Sequence, residues 1–166
     1  AECDAMPSPP PCIVVLKRSK CMIDNDQNDE KEILPKTMKE CKEKKWSDSS
    51  LVITEDLPPF RIVWVNETWC HDCGYSTEEA IGSTFNLIKG PKTVNKGLRK
   101  LNEEISRLRE QYKESGQSDI IKCAFINYRK NKTVFRNESC LSYLKSDSPI
   151  GRDLIVSVMK QYPLEE

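Results

Sequence analysis

The stretch IIKCAFINYRKNKTVFRNESCLSYL, Ile120 to Leu144, decides the fold. Ile120 to Tyr128 and Thr133 to Leu144 are both rich in β-branched and aromatic side chains, and the polar RKNK between them is short enough to be a hairpin connection. A third run of the same kind, Arg152 to Gln161, follows SDSPIG, so three strands succeed one another through short links. Upstream, Val94, Leu98, Leu101, Ile105, Leu108 and Tyr112 alternate spacings of four and three with charges between them, which predicts an amphipathic helix over Lys92 to Tyr112, ended by Glu114-Ser115-Gly116. Before it, ETWCHDCGYSTEEAIG predicts two short helices, the first stopped at Gly74 and the second started by the capping-box pattern Ser76 to Glu79. LVITE and RIVWV, split by DLPPF, give two more strands. The order β-β-α-α-α-β-β-β predicts an α+β fold, a five-stranded antiparallel sheet with helices packed on one face.

Composition narrows the function. Among 166 residues, 26 basic and 26 acidic side chains cancel, which argues against a dedicated nucleic-acid or polyanion binder. The longest clean apolar run, Cys12 to Leu16, falls far short of the roughly 18 residues that cross a bilayer, so no membrane role is expected. The first 50 residues hold five of the ten Pro, 19 charged residues and no Gly, too little apolar surface to offset the entropy of ordering. Residues 1–49 are therefore expected to be a disordered linker, with a polyproline stretch at Pro7 to Pro11, an acidic stretch at Asp24 to Glu32, and at most a short charged helix over Lys36 to Trp46. The folded domain is placed at 50–162, with a tail at 163–166.

Eight scattered Cys, and N-x-S/T sequons at Asn66, Asn131 and Asn137, raise the alternative of an oxidised extracellular protein. A chain of this length does not need disulfide staples and the Cys follow no repeating spacing, so the expected location is intracellular, cytoplasmic or nuclear.

GYSTEEAIGSTFNLIKGPKT (Gly74 to Thr93) and NYRKNKTVFRN (Asn127 to Asn137), together with WVN at Trp64 to Asn66, resemble a PAS domain of the LOV (light-oxygen-voltage) branch, over about Leu51 to Gln161. The resemblance implies a PAS fold and a flavin pocket. It also marks departures. Where the family carries its adduct-forming Cys this chain has Phe85, the neighbouring phosphate-pairing Arg is Asn86, and the Gln before the Gly is Lys89. The two Asn that bond the flavin ring edge persist as Asn127 and Asn137, and the signalling Gln of the last strand falls on Met159, to within one residue. Phe offers no nucleophilic sulfur and is much larger than Cys, so covalent photochemistry is not expected and the pocket is expected to be crowded or filled.

No cofactor is accordingly the default expectation, with non-covalent FMN or FAD as the alternative, held by Asn127, Asn137, Phe85, Asn86, Lys89 and Met159. The two Asn have a plainer reading, in which they bond each other or face solvent. The stripe from Val94 to Tyr112 also has two readings, packing on the sheet or a coiled-coil seam. The segment from Thr93 to Asn127 runs about ten residues longer than is usual in the LOV branch. Cys70-His71-Asp72-Cys73 is half a metal site, and no metal is expected. No triad order, phosphate loop or zinc-protease motif is present, so no enzyme is expected. The resulting expectation is a non-catalytic sensory or protein-interaction domain of a signalling or transcriptional regulator, meeting a protein partner or a second copy through the sheet face or flanking helices.

Overall fold

The computed structural model describes residues 17–19, 34–146 and 151–164. Along the chain run β1 (Lys17–Ser19), α1 (Met38–Cys41), a 3-10 turn (Lys44–Trp46), β2 (Ser50–Glu55), β3 (Ile62–Val65), α2 (Glu67–Cys73), α3 (Thr77–Ala80), a second 3-10 turn (Phe85–Ile88), α4 (Asn95–Ser115), β4 (Ile120–Tyr128), β5 (Val134–Leu144) and β6 (Leu154–Pro163). The sheet order is β1-β4-β5-β6-β2-β3, with antiparallel ladders throughout. The five expected strands form it, and β1 adds a short sixth strand along the edge of β4.

The short helices form where local chemistry starts and stops them. Asn66 caps α2 by accepting from Trp69 N, also accepts from Leu51 N, and donates to Ser49 O, so one side chain ties α2 to the start of β2. Gly74, with φ of 83°, ends α2 in the left-handed conformation, and its N–H bonds Cys70 O. The Ser76–Glu79 capping box starts α3. Two of the three sequons are thereby spent on structure: Asn66 is fully engaged and Asn137 is buried.

On the inner face of the sheet two apolar clusters lie side by side. One gathers Trp69, Cys73, Ala80 and Ile88 from the short helices over Val52, Phe135 and Met159. The other sets Ile105 and Leu108 of α4, with Leu98, Leu101 and Tyr112, against Ile121, Phe125, Leu141, Tyr143 and Ile155. The α4 stripe is thus sheet packing, which decides between its two readings.

The outer face corrects the linker expectation. Residues 34–49 fold onto it: Cys41, with Met38 and Trp46, covers Leu51, Ile53, Leu144 and Val156. Thr37 caps α1 and bridges Lys145. Composition averaged over 50 residues hid this local apolar set. Pro7 to Pro11 and Asp24 to Glu32 lie outside the described residues, and β6 runs one residue past the expected boundary at 162.

Candidate ligand cavity

The cavity lies at the seam of the two inner clusters. Strand alternation puts Cys123, Phe125 and Asn127 of β4, Asn137, Ser139 and Leu141 of β5, and Ser157 and Met159 of β6 on its floor, while Phe85, Ile88, Leu98 and Leu101 roof it. It measures about 60 Å³. A larger groove of about 580 Å³ lies by the end of α2, lined by Asp48, His71, Asp72, Arg129 and Lys160, and shares Met159 as a wall. That groove is charged with both signs, whereas the smaller cavity joins apolar walls to convergent amides, the usual make-up of a small-molecule site.

The amides form a relay. Asn127 stands opposite Phe135 and Asn137 opposite Phe125, so the two Asn are diagonal neighbours on one face. Ser139 Oγ donates to Asn137 Oδ1 at 2.9 Å, Asn137 Nδ2 donates to Asn127 Oδ1 at 3.0 Å, and Asn127 Nδ2 donates to Ile88 O at 3.1 Å. The plainer reading of the pair, mutual hydrogen bonding, describes this closed arrangement. The relay connects the sheet floor to the 3-10 turn that carries Phe85.

The remaining site candidates separate. Phe85, half-buried, opens the second 3-10 turn and packs against the first cluster as well as the cavity. Lys89 is exposed but lines the cavity at its rim. Asn86 is exposed and lies away from the cavity walls. Met159 is buried on the floor, its Sδ 3.5 Å from Asn137 Nδ2. Gln161, two residues on and opposite Asn137, turns to α2, where its Nε2 donates to Cys73 Sγ at 3.3 Å. Ser139, Ser157 and Cys123 were missed from sequence, although the period-two alternation of β4 to β6 places all three on the face that holds the Asn pair.

The G-P-x-T segment below the roof is shaped by close approach. A Cβ on Gly90 would lie 2.3 Å from the Tyr128 ring, so only glycine lets the chain pass there. Thr93 Oγ1 accepts from Gly90 N and donates to Ile126 O, fastening the segment to β4.

Among the described residues no three potential metal ligands converge. His71 is exposed beside Asp72, and Cys73 is buried against Gln161. Burial pushes the Cys73 and Cys123 thiols up to about 12 from 9.0. Two results are expected. Cys41, Cys73 and Cys123, all buried, resist alkylation in the folded protein and react on unfolding, whereas the half-buried Cys70 and Cys140 react first. Because the folded thiols ionise later than the unfolded ones, their contribution is complete below pH 9.0 and is lost as pH rises from there through about 12. Mass-resolved alkylation and an alkaline denaturation series check both, and early labelling of Cys123 would show that its strand opens readily.

No family model matches the chain. A curated relative, the blue-light photoreceptor of Listeria innocua serovar 6a, is 30% identical over 108 residues, covering 63% of this chain and 39% of the relative. This chain therefore spans about two fifths of that relative's length. Among solved structures, a light-oxygen-voltage domain whose mechanism was probed with a flavin analogue superposes with a TM-score of 0.57 at 20% identity, over 71% of this chain and 80% of that one. The LOV domain from the blue-light activated histidine kinase of Erythrobacter litoralis EL346 gives 0.56 at 19% identity, over 70% and 97%. The chain has the LOV/PAS fold, with its five-stranded antiparallel core and helices. The same likeness corrects the expectation of no cofactor, since the matched relative is a blue-light photoreceptor and a matched domain was studied through a flavin analogue.

Proposed function

We propose that this chain is a LOV-type sensory domain that takes a flavin, FMN or FAD, non-covalently into the cavity between the sheet and the Phe85 turn. The observation that carries this is the buried Ser139–Asn137–Asn127 relay, whose donors and acceptors suit the polar edge of a flavin ring. The chemistry of the walls fits. The cavity of about 60 Å³ is well below the roughly 300 Å³ of a typical ligand pocket, so binding displaces Phe85, Leu98 and Leu101 from the roof.

A bound flavin supplies absorption of blue light. The chain's own residues bind and orient it: Asn127 and Asn137 exchange their mutual bond for the ring edge, the apolar roof excludes water, and Lys89 at the rim is the one cation among the lining residues. Phe85 presents no thiol, so the domain works without a covalent bond at that position and is non-catalytic. The signal leaves through protein contacts. The part of the outer face not covered by residues 34–49 carries half-buried Ala124, Ile126 and Val134, beside exposed Tyr162, and is the surface proposed for a partner or a second copy. Among the described residues no helix is long and apolar enough to cross a membrane.

The test is an absorption spectrum through the near-ultraviolet and blue after refolding the protein with FMN. The expected result is a bound, structured flavin band that blue light does not bleach in the manner of a thiol adduct. A protein that retains no FMN or FAD after refolding overturns the proposal.

A further inference from the structure

Among the described residues, Ser157 carries the one buried side-chain oxygen or nitrogen on the cavity wall with no hydrogen-bond partner. It is 1% exposed and its Oγ is unpaired. The other buried side-chain atoms without partners, on Trp46, Ser50, Trp69 and Gln161, belong to residues that do not line the cavity. Its neighbours explain the isolation. Across the ladders it faces Leu141 on β5 and Val52 on β2, and along its own strand the same face holds Ile155 and Met159. None of the four donates a hydrogen bond, and the Met159 thioether is at best a weak acceptor. The amides nearby are committed, Asn127 to Ile88 O and Asn137 to Asn127 and Met159. A buried hydroxyl left unpaired carries a desolvation cost that alanine at the same place would not.

We propose that Ser157 is a ligand-contacting residue, whose hydroxyl donates a hydrogen bond to a ring acceptor of the bound flavin further along the sheet than the edge held by Asn127 and Asn137. The proposal rests on the cavity being the flavin site. It assigns to the last strand the donor that Met159 lacks, two residues along the same face. The closed protein bears the unpaired hydroxyl, and the bound ring relieves it.

The test uses Ser157→Ala and, as a control, Ser50→Ala, which removes an equally buried, unpaired hydroxyl outside the cavity. Thermal stability is measured without flavin, and FMN affinity and the position of the blue absorption band are measured with it. Both variants are expected to be at least as stable as the parent without flavin. Only Ser157→Ala weakens FMN binding, by about tenfold, the effect of one lost hydrogen bond, and shifts the band. Unchanged affinity and band in Ser157→Ala, with the parent binding FMN, overturn the role of Ser157 alone. A loss of stability without flavin overturns it too, by revealing a partner within the protein. A parent that binds no FMN overturns the flavin reading of the cavity and this proposal with it.

Discussion

Arg109→Ala is expected to cost about 3 kcal/mol, because it strands a carboxylate in the fold. Arg109 Nε donates to Asp56 Oδ2 at 3.2 Å and a second guanidinium nitrogen donates to the Asp56 carbonyl, with 14% and 10% of the two side chains exposed. Tyr143 donates to the same Oδ2 at 3.0 Å, and Tyr112 stacks on Tyr143 with centroids 4.8 Å apart. Burial and the adjacent Asp56 charge push the Tyr143 phenol well up, which favours its protonated, donating form. The group pins the C-terminal half of α4 to the β2–β3 connection and to β5, while the N-terminal half roofs the cavity. Denaturant midpoints with unchanged slope measure the loss. Replacing the pair together, Asp56→Leu with Arg109→Met, is expected to recover most of it, because no charge is then left buried. A single-variant cost below about 1 kcal/mol would show the pair behaving as an ordinary surface bridge.

Phe85→Cys is expected to change what light does to the domain. With FMN bound, the variant should lose its blue band under illumination and regain it in the dark, while the parent keeps its band. Removing the ring also empties the roof, so FMN affinity should rise about tenfold in both Phe85→Cys and Phe85→Ala. The stability cost is about 1–2 kcal/mol, less than for a fully buried phenylalanine, because Phe85 is only half-buried. Phe85→Ala separates the two effects, giving room without a thiol. If Phe85→Cys binds FMN and stays unbleached, residue 85 does not face the ring and the alignment of the 84–93 segment with the LOV pattern is wrong in register.

Much of this was legible in sequence because it is periodic or local. The α4 stripe, the Gly74 stop, the Ser76–Glu79 box and the alternation through 120–161 each state their geometry within a few residues. Of the residues singled out by motif order, Phe85, Lys89, Asn127, Asn137 and Met159 line one cavity and Asn86 does not. What escaped notice was non-local. Asp56, Arg109 and Tyr143 are separated by tens of residues, and nothing near any of them marks a partner. Residues 34–49 looked unfoldable on average because their charges outnumber Met38, Cys41 and Trp46, whose spacing alone allows them to meet the outer face. Nothing in the sequence around Ser157 marks it, because its isolation is set by Leu141 and Val52 on neighbouring strands.

The strand order has a consequence for how the domain is made. β2 finds its partner in β6, about a hundred positions later, and β6 is also what joins β2 to β5. Until Leu154 to Pro163 has left the ribosome, the first hairpin and the β4–β5 hairpin are not joined in one sheet, and each has an apolar flank exposed. Closing so long a loop is entropically slow, and the waiting halves are the species a chaperone would meet. Synthesis terminated before Leu154 should therefore yield a product that proteases clear, whereas termination after Pro163 should release a chain that folds.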